Sequence, residues 1–493
     1  MLNRAVCLTL VLLLVGSASA WAQSSPGETP VVTHHGVPGQ LLPLWAALPF
    51  AGMLLSIALF PLLAPHFWHR HFGKVSAFWA LTFVVPYLVR FGGPAFYDVA
   101  HIYLIDYMPF LILLGGLYIA AGGMIVRGTL RGSPAVNLVL LLIGTALASW
   151  VGTTGASMLL IRPVLRANSW RRHKTHVIVF FIFLIANVGG MLTPLGDPPL
   201  FLGFLHGVDF FWTAHLWPEM VFIAGVLLLL FVGLDTYYYR QEGPPPSDGT
   251  REPLRVEGLH NLLFFAGIMG AVLFSGMAEL GRFSVGGIEI AIQDLVRDGL
   301  IIAMGLLSLV TTRREVRRDN DFSWGPILEV AYLFAGIFAT ILPALAILRA
   351  GVHGAAAPLI EAANQPWHYF WLAGGLSSFL DNAPTYLTFF NTAIGQLYPA
   401  GTPEPVAVAA LMGHTTGAAA GLADGSHFLA AISVGSVCMG ANTYIGNAPN
   451  FMVKSIAEEA GVKMPSFFGY TFKYSLPILV TTFVAVTWLF FVN

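Results

Sequence analysis

An all-α polytopic membrane protein is the fold class this sequence predicts, and three observations predict it. Of 493 residues, 56% are hydrophobic and only 10% are charged. With a mean hydropathy of +0.73, that balance is not one a soluble domain of this length shows. Apolar segments recur near 41–64, 75–90, 108–126, 135–161, 177–205, 218–238, 260–278, 287–312, 325–349, 368–398, 426–453 and 474–492, the spacing of membrane spans. Some are interrupted by Gly, Pro, Ser and Asn around a polar side chain. In hydrocarbon, such a break is tolerated only where it lines a protein cavity. The net charge of −1 gives no reason to expect nucleic acid. Cys7 and Cys438 both lie in apolar stretches, so neither a disulfide framework nor a metal site is expected.

Taken in order, residues 1–22 read as a cleavable signal peptide. Arg4 precedes an apolar run from Ala5 to Val15, and Ser17-Ala18-Ser19-Ala20 and Ala22 offer small-residue cleavage positions. The run is shorter than the ~20 residues a span needs; the alternative is a first span that stays. Residues 23–40, with Pro26, Gly27, Pro30 and Pro38, would be a short periplasmic arm.

Segments 135–165 and 368–398 are broken in the middle and read as re-entrant hairpins. The distribution of basic residues tests that reading. With both hairpins returning to the side they entered, the inner side collects Arg70 and Lys74; Arg127 and Arg131; Arg162, Arg166, Arg171, Arg172 and Lys174; Arg240, Arg251 and Arg255; Arg313, Arg314, Arg317 and Arg318; and Lys454, Lys463 and Lys473. That is 19 of the 24 Lys and Arg residues, a positive-inside bias expected of cytoplasmic loops. Ten spans plus two hairpins follow. Three spans, a hairpin and two spans fill 41–238, and the same order fills 260–493 from the opposite side, which predicts two inverted-topology repeats. Residues 239–259, with Gly243-Pro244-Pro245-Pro246, read as a cytoplasmic linker.

Three stretches carry the chemistry. Gly374–Phe390 (GGLSSFLDNAPTYLTFF) sets Asp381 and Asn382 in a break, Asn187–Leu202 (NVGGMLTPLGDPPLFL) does the same with Asp197, and Asn442–Val453 (NTYIGNAPNFMV) with Asn447. Gly196-Asp197-Pro198-Pro199 corresponds to Gly446-Asn447-Ala448-Pro449, and the first hairpin tip around Thr153-Thr154 corresponds to Asp381-Asn382-Ala383-Pro384-Thr385. Sodium favours oxygen ligands, and Asp381, Asn382, Asp197, Asn187, Asn442, Asn447, Thr153, Thr154 and Thr385 supply them. Loss of hydration disfavours an ionised carboxyl, whereas a neighbouring sodium favours it. Asp381 or Asp197 can therefore hold a proton or a sodium ion in competition, which gives exchange without a separate coupling device.

SSFLDNAPT, with the Asn187–Asp197 and ANTYIGNAPN stretches, resembles the ion transporter superfamily, and within it the NhaD-type sodium/proton antiporters and neighbouring citrate transporters. The likeness extends over most of 41–493. It implies an inverted-repeat scaffold, sodium/proton exchange, and site residues Asp381, Asn382, Asn187, Asp197, Asn442 and Asn447. NhaD-type chains carry an Asp-Asn pair in the first hairpin; this chain has Thr153-Thr154, one carboxylate fewer.

The expected function is thus secondary transport in the bacterial inner membrane, as sodium/proton antiport, with cation-coupled transport of citrate or another carboxylate as the alternative. An uncharged metalloid is a further cargo the scaffold could carry. No enzymatic activity and no cofactor are expected; sodium is the transported ligand. Sodium ions, protons and the lipid bilayer are the expected partners, and a homodimer is left open. An intramembrane protease using Asp197 and Asp381 as a dyad is disfavoured, because Leu195-Gly196-Asp197 lacks the first glycine of Gly-x-Gly-Asp. The structural alternative for Thr153, Thr154 and Asn442 is helix-bridging hydrogen bonds, while Asp106 and Asp235 are expected near span ends facing headgroups.

Overall fold

The computed structural model describes residues 36–242, 253–350, 353–399 and 401–492. The expected signal at 1–22, most of the 23–40 arm and the Pro-rich part of the 239–259 linker lie outside them. A helix satisfies its own backbone groups, the condition hydrocarbon imposes, and most of the described residues are helical. Among the described residues, seven helical segments are long and apolar enough to cross a membrane: Leu44–Pro61, Arg70–Phe91, Gly93–Ala121, Pro134–Val151, Trp212–Tyr239, Gly325–Arg349 and Phe467–Phe491. Their outward faces carry side chains such as Val89 (83% exposed) and Leu229 (76%). A protein of this kind meets lipid there rather than water.

Helices α1 (Leu48–Leu63) and α2 (Pro65–Phe91) are followed by α3 (Gly93–His101), which runs through a π-helical stretch, Ile102–Tyr107, into α4 (Met108–Ala121). Strand β1 (Ile125–Arg127) then pairs antiparallel with β2 (Arg255–Glu257). Next comes a helix pair, α5 (Pro134–Val151) and α6 (Thr153–Ala167), which breaks at Gly152. Gly132 N donates to Ala167 O at 2.7 Å, so the chain leaves this pair beside the point where it entered. Helix α7 (Thr175–Leu184), a 3-10 turn at Val188–Gly190, α8 (Pro198–Leu205) and α9 (Trp217–Tyr239) complete the first half.

The second half comprises α10 (Asn261–Met277), the hairpin of β3 (Arg282–Val285) and β4 (Ile288–Ala291), α11 (Ile292–Thr311), the short α12 (Arg314–Asp319) and α13 (Gly325–Arg349). After α14 (Ala357–Ala362) comes a second helix pair, α15 (Pro366–Ser377) and α16 (Asn382–Leu397). Tyr369 Oη donates to Gln396 Oε1 at 2.5 Å, joining the start of this pair to its end. Then follow α17 (Glu404–Leu411), α18 (Ser426–Met439), a 3-10 turn at Gly440–Asn442, α19 (Ala448–Glu459) and a final helical segment over Phe467–Phe491.

Basic loops from distant parts of the chain gather at one end of the molecule. Arg127 pairs with Glu257 at 2.9 Å and Asp319 at 2.6 Å, and Arg162 pairs with Asp321 at 2.9 Å.

Three expectations need correction. The segment placed at 108–126 begins at Gly93, so Asp106 lies within it, 5% exposed and facing His206 rather than headgroups. Asp235 is fully buried, accepting from Arg171 at 2.5 Å, His176 at 2.8 Å and Asn137 at 3.0 Å. Asp235 is satisfied by three protein partners and Asp106 faces a potential cation in His206 at 3.4 Å, the conditions under which a carboxylate is tolerated inside a membrane. The segment placed at 287–312 gives its first residues to β4, and α11 starts at Ile292. Its first two turns hold the buried Arg297 between Asp294 at 2.9 Å and Asp298 at 2.8 Å.

Candidate functional site

Four helices begin at the breaks. Helix α6 starts after Gly152 (φ 80°, ψ 148°), a left-handed conformation suited to glycine. Helix α16 starts after Asp381 (φ −56°, ψ 138°), and α8 after Asp197 and α19 after Asn447, the last two in extended backbone. Each start presents the positive end of a helix dipole, and two first-turn N–H groups already have partners: Thr153 N donates to Gly196 O at 2.8 Å and Ala383 N to Asp381 Oδ1 at 3.1 Å. Pro198, Pro199 and Pro449 occupy first-turn positions, where a missing N–H costs nothing.

Asp197 is where the four breaks meet. Its side chain does not cap its own helix and instead accepts from the other three breaks. Thr153 Oγ1 donates to Oδ1 at 2.9 Å, Asn447 Nδ2 donates to Oδ1 at 3.1 Å, and Asn382 Nδ2 donates to Oδ2. All four side chains are at most 2% exposed. Asn187 extends the set: its Nδ2 donates to Asn450 Oδ1 at 2.7 Å and to Ile182 O at 2.8 Å, and its Oδ1 accepts from Asn447 at 3.4 Å. One oxygen is left over. Asn382 Oδ1 is buried without a hydrogen-bond partner, a costly state for a polar atom in an apolar interior.

Two matching braces hold the breaks in place. Thr193 Oγ1 donates to Ser149 O and accepts from Leu195 N at 3.2 Å; Thr443 Oγ1 donates to Ser378 O and accepts from Ile445 N at 3.2 Å. A Cβ on Gly196 would stand 2.2 Å from Gly190 O, and one on Gly446 would stand 2.5 Å from Gly440 O. Backbone therefore packs directly on backbone at both places.

The remaining candidate residues fall outside the Asp197 set. Asp381 Oδ1 accepts from Ala383 N at 3.1 Å, so this carboxylate caps α16. Thr385 Oγ1 donates back to Asp381 O at 3.0 Å. Asn442 binds Ser378 Oγ at 2.9 Å and Ser475 Oγ at 3.3 Å, tying the second helix pair to the last segment. Thr154 is half-buried beside the first break. Sequence reasoning missed Ser149, Thr193, Ser378, Thr443 and Asn450. The signal for the first four was the repeated Ser-x-x-x-(Thr/Asn) and Thr-x-(Leu/Ile)-Gly spacing; for Asn450 there was only its place one turn after Asn447.

Chemically, the set is a buried acidic group held by neutral amide and hydroxyl donors, with no Lys or Arg among its bonded partners. Among the described residues there is no group of three or more His, Cys, Asp or Glu fit to hold a metal ion. No curated protein matches the chain. The family model described as "Putative citrate transport" matches residues 39–491, nearly the whole length, and the chain belongs to that family.

Proposed function

We propose that this membrane-embedded transport protein exchanges sodium for protons at Asp197. The supporting observation is the carboxylate that accepts from both helix pairs and from the opposite broken segment, with Asn382 Oδ1 unsatisfied beside it. An ionised Asp197 takes the NH2 groups of Asn382 and Asn447, as the structure has them. When sodium arrives, each amide turns by half a rotation and presents its oxygen, so donors become ligands. When a proton arrives instead, the carboxyl needs an acceptor, and Asn382 Oδ1 supplies one. The two occupants use the same atoms and exclude each other.

The scaffold follows from the same bonds. The matching braces at Ser149–Thr193 and Ser378–Thr443, and the two helix pairs that return beside their entry points, support a pair of inverted repeats with ten spans and two re-entrant hairpins. Alternating exposure of Asp197 to the two sides completes a transport cycle.

A second reading keeps the scaffold and changes the cargo to citrate or another carboxylate. It is favoured by the family's description and by the four helix N-termini, whose dipoles attract anions. Two aspartates at the breaks oppose it, and a bound cation would have to offset them. The experiment is reconstitution of the purified chain in vesicles carrying an internal pH dye, with an imposed proton gradient and additions of sodium, lithium, potassium or citrate. Dissipation by sodium or lithium alone is expected; a response to citrate alone replaces exchange with carboxylate transport.

A further inference from the structure

Away from the Asp197 set, four charged or titratable side chains meet at the opposite end of α8. His206 follows the last residue of that helix, and Asp197 precedes its first. Eight helical residues rise about 12 Å, so the two groups are the ends of one short rigid rod.

His206 Nδ1 lies 2.7 Å from Glu404 Oε1, at the start of α17, and Nε2 lies 3.4 Å from Asp106 Oδ1, in the π-helical stretch. Glu404 Oε1 also accepts from Arg349 Nη2, at the end of α13, at 2.9 Å. Arg349 Nε donates in turn to Asn391 of α16. Among the described residues, His101, the last residue of α3, is the further titratable group facing this set. The four groups come from four separate elements, and only His206 sits on the Asp197 rod. His206 and Asp106 are largely buried, and the Asp106 Oδ1 and His206 Nε2 atoms have no other hydrogen-bond partner.

We propose that His206, Asp106, Glu404 and Arg349 form a second proton site, a latch that grips the far end of α8 while His206 is doubly protonated and lets go when it is not. With both ring nitrogens protonated, His206 donates to Glu404 and faces Asp106 as a cation, and the two acids balance Arg349 and the imidazolium. Loss of one proton turns a ring nitrogen into an acceptor that faces a carboxylate oxygen. One grip becomes a repulsion between lone pairs, and a net negative charge stays behind in a poorly hydrated place.

The sign follows from the surroundings. His206 lies past the apolar part of α8; burial alone would lower its imidazole, but the Asp106 and Glu404 carboxylates outweigh burial and hold it above its ordinary value. Glu404 responds in kind: burial would raise it, yet Arg349 and His206 hold it well below the usual carboxylate range. A histidine raised in the folded state contributes its grip below its unfolded value of ~6.5 and loses it as pH rises through the folded value. The latch therefore opens on the alkaline side. The idea depends on the exchange reading only for what a freed α8 accomplishes; the grip itself is independent of cargo.

Hydrogen–deuterium exchange on the purified full chain in detergent tests it without any transport measurement. Labelling runs from about pH 6 to about pH 9, with times scaled for the intrinsic rate. Amides of residues 200–208 should open roughly tenfold more readily at the alkaline end, the effect of losing one charge-assisted bond. His206→Gln, which cannot titrate, should flatten that profile. A flat wild-type profile, or a pH dependence that survives in His206→Gln, overturns the proposal. Should His206→Gln fail to fold, Glu404→Gln serves: removing a carboxylate from His206 must move the opening midpoint to lower pH, and an unmoved midpoint overturns the proposal equally. Vesicle exchange that fails while this profile holds would sink the cargo reading alone.

Discussion

Replacing Asp197 by Asn separates the charge of the central group from its shape. Three donors converge on the carboxylate, from Thr153, Asn382 and Asn447. An amide at this position keeps one oxygen for Thr153 and Asn447 and turns its NH2 toward Asn382. There it would meet another NH2, but Asn382 can flip and offer the oxygen that now lacks a partner. All three bonds thus survive as neutral ones, each about 1 kcal/mol weaker than its charge-assisted counterpart. Relief from burying a charge offsets part of that loss. The net cost is about 1–3 kcal/mol, small enough for the variant to fold.

Transport has no such remedy, because an amide neither titrates nor neutralises sodium. Exchange should fall by a factor of about 100 or more, since the competing protonation step is gone. Sodium-driven proton release from vesicles, paired with thermal unfolding in detergent, reads both quantities. Asp381→Asn is the control: asparagine caps a helix as well as aspartate does, so stability should change by less than about 0.5 kcal/mol and exchange should persist with weaker apparent sodium affinity. Exchange within about threefold of wild type in Asp197→Asn would refute the assignment, and the reverse ranking of the two variants would pass the role to Asp381.

Two further substitutions test the supports of the site. Gly196→Ala places a methyl group 2.2 Å from Gly190 O; backbone cannot retreat as a side chain can, so a loss of about 1–3 kcal/mol is expected as a lowered unfolding temperature, and an unchanged temperature would deny the close approach. Asp235→Asn strands the fully buried Arg171 guanidinium and should cost about 3–5 kcal/mol, whereas Asp235→Leu combined with Arg171→Met should recover part of it, because the apolar pair leaves no charge behind although His176 and Asn137 lose an acceptor. Equal instability of the single and double variants would show that the pair is not the source.

The breaks were legible because glycine, proline and asparagine inside an apolar run have few other uses, and Asp197, Asn382, Asn447 and Thr153 all came from that signal. Their division of labour was not. Asp381 and Asp197 both precede a helix start, and nothing local shows that Asp381 turns inward to Ala383 N while Asp197 turns outward to three partners. That choice is made by what packs opposite, which is tertiary. The span through Asp106 was placed too late for a related reason. Hydropathy counts a charge against a span, while the partner that tolerates it, His206, is about 100 residues further along the chain. Ser149 and Thr193 escaped notice because hydroxyls are common in spans and bond locally as a rule; here they brace one break against another.

The bonds that brace the breaks match the two halves residue by residue and account for the carboxylate absent beside Thr153. The braces set Ser149-x-x-Gly152-Thr153 against Ser378-x-x-Asp381-Asn382, and Thr193-x-Leu195-Gly196-Asp197 against Thr443-x-Ile445-Gly446-Asn447. Each half then carries one carboxylate, but at different elements: the broken segment in the first, the helix pair in the second. Gly152 needs no side-chain acid, because its left-handed turn starts α6 unaided, while Asp381 spends its carboxylate on capping α16. On the exchange reading, Asp197 is then the carboxylate left to titrate against sodium. One such group moves one cation in each direction, so exchange should be electroneutral. Clamping the vesicle potential with potassium and valinomycin, at either sign, should leave the rate of sodium-driven proton release unchanged. A rate that rises with one polarity and falls with the other requires a second titrating carboxylate, and Asp381 would have to leave its cap to provide it.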